Sequence, residues 1–395
     1  MKEGWEYKKL GDVGTFVRGG NFSKKDFVEN GFPCIHYGQI HMKFGIETFK
    51  HISSVPAKIV KPDRCAHKGD LVIAITSEDD AGSCKCTAWM GDYDAYVGGH
   101  TAIFRHTMQP KYVSYYFMSP YFQKDKLEFT HGFKVVEISP KDIAKIAIPV
   151  PPLSEQQSIV DYLDSAFAKI DAMKANAETA LNEAKALFQA SLKEMLEPKE
   201  GWEEKKLGDI CSDIKYGTSI PSNENGEYKY LRMNNITNDG FLDISHYKTI
   251  TLPEKELEKC LVKKGDIIFN RTNSRELVGK SCVFTEEENM VIAGYLIRIR
   301  LKDGFEPQFI TYNMNLQRSL GFFQHLIVGA VHQANISANN IQKVLINYPI
   351  LSEQHAIVET LDSLKSKVDR LQENFDKISQ ECDALKQAIL RKVFE

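Results

Sequence analysis

Apolar residues recur at steps of four and three over two long stretches, and the rest of the chain is arranged around them. In the second stretch Ile357, Leu361, Leu364, Val368, Leu371, Phe375, Ile378, Cys382, Leu385 and Ile389 keep the pattern without a break. Moving back 198 residues gives Ile159, Leu163, Ala166, Ile170, Met173, Ala177, Ala180, Ala184, Leu187 and Ser191. This spacing keeps one helix face apolar over many turns and predicts two helices of about 43 residues, each roughly 60 Å long. Leu153-Ser154-Glu155-Gln156 opens the first and Leu351-Ser352-Glu353-Gln354 the second, after prolines (Pro149, Pro151 and Pro152; then Pro349) that end an extended segment. Ser154 and Ser352 are expected to cap the helix starts, with Glu155 and Glu353 in the positive end of the dipole. By itself such a stripe marks a helix-packing seam.

Elsewhere the pattern shortens to apolar runs bounded by Gly, Asn, Asp or Pro: Phe32–Tyr37, Leu71–Thr76, Ala102–Arg105, Tyr228–Met233, Ile267–Asn270 and Gly294–Arg300. These read as strands, while Tyr112–Met118 and Pro307–Leu320 read as helices, so the fold class is α+β. The runs themselves repeat. Gly4–Asp12 returns as Gly201–Asp209 with one difference, Lys68-Gly69-Asp70 as Lys264-Gly265-Asp266, and Ile138-Ser139 as Ile336-Ser337, always 196 to 198 residues on. The chain is therefore a tandem duplication: a globular unit over 1–153, a helix over 154–197, a second unit over 198–351 and a second helix over 352–395. The copies share their edges and differ in their middles.

Only Glu197-Pro198-Lys199-Glu200 joins the first helix to the second unit, which predicts that the two helices run antiparallel. If Ile159 lies level with Ile389, Ala177, Ala180 and Ala184 face Leu371, Val368 and Leu364, small against large.

Composition narrows the class. No window approaches 18 uninterrupted apolar residues and Met1–Trp5 is not a signal peptide, so a cytoplasmic location without membrane contact is expected. The eight cysteines include no Cys-x-x-Cys pair and read as reduced thiols. Net charge is −3, but the helices carry much of the acidity: residues 154–200 hold 5 Lys+Arg against 9 Asp+Glu, whereas 1–153 hold 20 against 17. The globular parts are thus neutral or mildly basic, which permits DNA binding.

Catalytic signatures are missing. There is no Gly-x-Gly-x-x-Gly or Walker loop, no Asn-Pro-Pro-aromatic signature of amino-methyltransferases, and no His-x-x-x-His pair among the seven histidines of the first unit. No metal site, no catalytic residue and no cofactor is expected in this chain. What remains is planar and basic side chains in the divergent middles. The first unit offers Arg18, Asn21, Lys24 and Lys25, then Tyr37, Gln39 and His41; the second offers Thr218 and Ser219, then Arg232, Asn234 and Asn235, then Asn270, Arg271, Asn273 and Arg275. Arg matches guanine O6/N7, Asn and Gln match adenine N6/N7, and Lys or Ser suits phosphate. Asn270–Arg275 stands out, with two Arg and two Asn straight after an apolar strand; the first unit has Ser77-Glu78-Asp79-Asp80 there instead.

Taken in order, Trp5–Asp12 and Trp202–Asp209, the strand Ile35–Ile40, both Lys-Gly-Asp turns and both Leu-Ser-Glu-Gln helix entries resemble the specificity subunit of type I restriction–modification systems. The resemblance covers essentially the whole chain. It implies two target-recognition domains, each reading one half of a split site in double-stranded DNA, and paired helices that set the gap and dock two methylation subunits. It also implies S-adenosylmethionine in those subunits, which methylate adenine N6, and ATP and Mg in restriction subunits that translocate and cleave. Two other classes remain open on sequence: a stand-alone DNA methyltransferase or nuclease, and a coiled-coil scaffold whose globular units bind protein.

Overall fold

A computed structural model of the chain describes residues 5–132, 134–330 and 333–395. Gly4, which opens the repeated segment, and Met1–Glu3 lie outside them. Contacts divide the chain into two compact units, Met1–Glu178 with Asn374–Glu395, and Thr179–Glu373. The division falls inside both long helices, so each unit contains a stretch of each.

In the first unit a five-stranded sheet has the order Gly14–Arg18, Thr101–His106, Leu71–Ala74, Cys86–Trp89, Glu47–Thr48. A four-stranded sheet has the order Ser53–Val55, Phe32–Ile35, Ala95–Val97, Cys65–Ala66. The second unit repeats both, the larger sheet with four strands in place of five. Cys211–Tyr216, Leu296–Leu301, Ile267–Asn270 and Ser281–Val283 form one sheet; Lys248–Ile250, Tyr228–Leu231, Met290–Ile292 and Leu261–Val262 form the other. Leu71–Ala74 and Ile267–Asn270 are buried at every residue, as continuous apolar runs require of central strands. The expected strand Ile35–Ile40 stops at Ile35, and a short helix, Tyr37–Met42, follows.

The repeated motifs turn out to be fasteners. Gly69 and Gly265 adopt φ of +95° and +89°, so the Lys-Gly-Asp turn needs glycine. The aspartates close that turn: Asp70 accepts from the His67 backbone N–H (2.9 Å) and Asp266 from that of Lys263 (2.8 Å). Arg300 then grips Asp266 through two bonds of 2.7 Å. The opening tryptophans donate to the helix entries, Trp5 Nε1 to Glu155 (2.9 Å) and Trp202 Nε1 to Glu353 (3.3 Å). Gln156 and Gln354 are buried clamps. Each donates to the proline carbonyl five residues back (Pro151, 2.7 Å; Pro349, 2.9 Å) and accepts a backbone N–H, from Gln109 and from Glu306, at 2.9 Å.

The long helices span Leu153–Met195 and Leu351–Phe394. Both begin one residue before the expected serine caps, with Pro152 and Ile350 accepting the first N–H bonds from Glu155 and Glu353. Ser154 and Ser352 therefore stand inside the first turn; the glutamine clamps fix the entry instead. Far from being external, the helices complete the cores. Val160, Leu163, Phe167 and Ile170 join Cys382, Leu390 and Phe394 in the first unit, and Phe188 and Leu192 join Ile357, Leu361 and Val368 in the second. Tyr115 and Tyr312 bond Asp164 and Asp362 at 2.6 Å, and burial together with these carboxylates raises both phenols' pKa.

Within each unit the helices are packed antiparallel, but not in the expected register. Cys382 Sγ meets the Ile170 carbonyl at 3.7 Å, and Lys386 bonds Asp171 at 2.5 Å. Lys185 bonds Gln372 at 2.8 Å in the second unit. Ile170 thus stands against Cys382, one helical turn beyond the Ile378 that the expected register sets opposite it.

Candidate nucleic-acid interface

The divergent middles converge on a repeated backbone cradle. In the first unit Gly19 N bonds Thr101 O (2.9 Å), Gly20 N bonds Val97 O (2.7 Å), Gly98 N bonds Ile35 O (2.9 Å) and Ile75 N bonds His100 O (3.0 Å). The second unit repeats this bond for bond: Gly217 to Leu296 (3.0 Å), Thr218 to Ile292 (3.0 Å), Ala293 to Leu231 (2.9 Å) and Arg271 to Tyr295 (3.0 Å). Four segments meet in each case: the end of the opening strand, the end of the strand at Ile35 or Leu231, the end of the buried strand, and the connection that carries His100 or Tyr295. The approach is close. A Cβ on Gly19 would sit 2.0 Å from the Gly98 carbonyl oxygen, and one on Gly217 would sit 2.2 Å from that of Ala293. Because main-chain bonds fasten the cradle, the side chains on it differ freely between copies.

In the first unit Lys24, Tyr37 and His41 line one cleft of about 1250 Å³ together with Ser77, Asp79 and His100. Tyr37 is edge-on to His100 (centroids 5.4 Å) and His41 (6.1 Å). His41 Nε2 lies 3.2 Å from the Thr76 carbonyl, and Lys85 donates to the His41 carbonyl at 2.6 Å. Arg18 is exposed and pairs with Glu137 at 2.9 Å; Asn21 and Lys25 are exposed. Gln39 is different. It is buried, accepts from the His36 backbone N–H (2.9 Å) and donates to Ser53 Oγ (2.7 Å), so it caps the short helix and has no edge for a base. The neighbouring His36 accepts from Gly38 N–H through Nδ1 (3.2 Å), and burial lowers its pKa, as does the charge on Lys24.

Asn235 does in the second unit what Gln39 does in the first. Its Oδ1 accepts from the Arg232 N–H (2.8 Å) and its Nδ2 donates to the Asp243 and His246 carbonyls at 2.7 Å. Thr218 is also buried, accepting from Ile220 N–H at 3.1 Å, and Asn270 is fully buried. These residues shape the cradle. Ser219, Asn234 and Arg275 are exposed, and Arg232 is half-buried. Asn273 turns back to accept from the next N–H, that of Ser274 (2.8 Å).

Arg271 is the best-organised planar group. Its guanidinium lies over the Tyr216 ring at 4.7 Å and donates to Asn335 Oδ1 at 2.8 Å, while Asn335 Nδ2 bonds Thr272 Oγ1 at 3.0 Å. A stacked, hydrogen-bonded guanidinium loses little freedom when it meets an acceptor pair. His100, Asn335 and the exposed Tyr295 were not among the residues expected here. His100 did leave a signal, because it follows Gly98-Gly99, and its φ of +62° is uncommon for a non-glycine residue.

A family model described as "Type I restriction modification DNA specificity domain" matches residues 2–183 and again 199–380. The chain is 24% identical to the type I restriction enzyme EcoKI specificity subunit of Escherichia coli, over 100% of this chain and 89% of that protein. It is also 24% identical to the StySPI specificity subunit of Salmonella potsdam, with the same coverage. Its fold matches a chain from a study of complex assembly and conformational transition of the type I R-M system, with TM-score 0.79, 20% identity and coverage of 100% and 98%. The HsdS subunit from Thermoanaerobacter tengcongensis follows at 0.60, 19%, 100% and 97%.

Proposed function

This chain belongs to the family of type I restriction–modification DNA specificity subunits, and we propose that each of its units reads one half of a bipartite site in double-stranded DNA. The observation that carries this reading is the repeated cradle: identical main-chain bonding in both units, with His100, Tyr37 and His41 on one and Tyr295, Arg271 and Ser219 on the other. A shared frame with unlike tips suits two different half-sites. Arg18, Asn21, Lys24, Lys25, Tyr37 and His41 face the first half, while Ser219, Arg232, Asn234, Arg271, Asn273 and Arg275 face the second. The reading contributes specificity and no catalysis. Two methylation subunits that bind S-adenosylmethionine transfer the methyl group to adenine N6, and restriction subunits supply ATP- and Mg-dependent translocation and cleavage. Among the described residues no helix is long and apolar enough to cross a membrane.

Domain exchange tests it. Replacing residues 13–137 by the equivalent segment of another specificity subunit, in the assembled methyltransferase, is expected to change one half of the methylated motif. Methylome sequencing reads the outcome directly, and a change in both halves would refute independent reading.

The paired helices set the gap between halves. Four residues inserted into each helix, beside the facing Lys174 and Asp383, add about 6 Å, close to two base-pair steps. The expected motif keeps both halves and lengthens its gap by one or two base pairs. An active complex with an unchanged gap would show that the helices are not the ruler.

A further inference from the structure

Among the described residues, one cluster outside the cradle combines a thiol, an imidazole and a carboxylate on converging backbone. Cys65 opens the strand Cys65–Ala66, His67 begins the Lys-Gly-Asp turn, and Asp94 precedes the paired strand Ala95–Val97. Cys65 Sγ lies 3.7 Å from His67 Nε2 and 4.0 Å from Asp94 Oδ2, and His67 Nε2 lies 3.6 Å from Asp94 Oδ2. We propose that Cys65, His67 and Asp94 bind a divalent transition-metal ion of the zinc class.

The triangle has the right size. Tetrahedral zinc, with sulfur at about 2.3 Å and nitrogen or oxygen at about 2.0–2.1 Å, sets ligand-to-ligand edges of roughly 3.3–3.6 Å. The three distances here exceed that by a few tenths of an ångström, which small side-chain rotations remove. The ligand set also suits this ion, since thiolate and imidazole exclude calcium and magnesium, which take oxygen. Cys65 is buried, whereas His67 and Asp94 are 51% and 56% exposed, so water reaches the fourth position.

A further carboxylate supports the same site. Asp70, buried in the turn, lies 3.4 Å from His67 Nδ1, the nitrogen facing away from the cluster. A carboxylate on the far nitrogen fixes the ring and its tautomer in histidine metal sites, leaving Nε2 as the lone-pair donor. Binding converts the Cys65 thiol, which donates to the Pro62 carbonyl at 3.1 Å, into a thiolate and releases one proton to solvent.

The second unit provides an internal control. Its strand pairing matches, with Leu261–Val262 on Met290–Ile292, yet the three ligand positions are occupied by Leu261, Lys263 and Asn289. The turn aspartate and its arginine are kept in both copies, Asp70 beside Arg105 (3.5 Å) and Asp266 held by Arg300. The shared scaffold therefore folds without this triad, and all three ligand-competent residues occur together in one copy. Spacing along the chain did not reveal them, because Cys65 and His67 are two residues apart on extended backbone and Asp94 arrives with the strand that pairs beside them.

The experiment uses the full chain, stripped with a chelator and titrated with Zn²⁺ or Co²⁺. One equivalent is expected to bind, with Co²⁺ giving thiolate-to-metal absorption in the near ultraviolet. Cys65→Ser removes that absorption. His67→Lys and Asp94→Asn, the residues of the second unit, each lower affinity at least about tenfold while far-ultraviolet circular dichroism stays unchanged. Should Cys65→Ser misfold, the exposed Asp94 still decides. Failure of the native chain to bind one equivalent, or unchanged affinity in both His67→Lys and Asp94→Asn, would overturn the proposal.

Discussion

Leu361→Ala should cost the second unit about 2–5 kcal/mol, the range for emptying a leucine site that cannot collapse. Leu163→Ala should do the same to the first. Both side chains are fully buried in cores that the long helices share with the sheets and shorter helices. Leu385 lies on the same kind of stripe but is 48% exposed, so Leu385→Ala should stay within about 0.5 kcal/mol. Hydrogen exchange read by mass spectrometry assigns each loss to its unit, which a single melting curve cannot do for a chain of two units. If all three leucines behave alike, the helices are spacers lying outside the cores.

The second large effect concerns DNA. Arg271→Ala removes a guanidinium held by Tyr216 and Asn335, and should weaken or relax recognition of the second half-site by about 1–3 kcal/mol if it meets guanine. Arg271→Lys should not restore it, since an ammonium neither stacks nor forks. Arg275, exposed on the same loop, should behave differently if it meets phosphate: Arg275→Ala would weaken binding to all sequences and flatten the salt dependence. Affinities measured across a salt series, with the methylated motif of each variant, separate the two. An Arg271→Ala complex with native affinity and native motif would reduce that residue to a strut for the loop.

How much of this was legible depends on whether one residue type admits one role. The duplicated edges were readable because Trp, Gln and Lys-Gly-Asp recur where the backbone needs the same bond twice. The polar middles were less so. Gln39 and Asn235 carry the planar amide that matches adenine, but an amide three residues after a free N–H also closes a helix start, and here the N–H wins. Helix register failed for a related reason. A heptad stripe gives the face, while the axial phase depends on single contacts such as Cys382 on Ile170 and Lys386 on Asp171. Alanines at 177, 180 and 184 fit more than one phase. Asn335 was out of reach because its partner Arg271 lies 64 residues away in the chain.

The cradle's main-chain fastening also bears on how readily such a protein changes. Where side chains hold a fold, a new function must be found without losing old bonds, and most substitutions fail. Here Ser219, Tyr295 and His100 are exposed on a frame fastened mainly by main-chain bonds. Substitutions at exposed tips such as Ser219 and Tyr295 shift stability by about 0.5 kcal/mol, whereas the positive φ of His100 narrows the choice there. The accessible sequence space around the reading surface is wide, then, while that around Gly19, Gly217, Gln156 and Gln354 is narrow. Selection can explore new targets at the tips with little risk of losing a foldable chain.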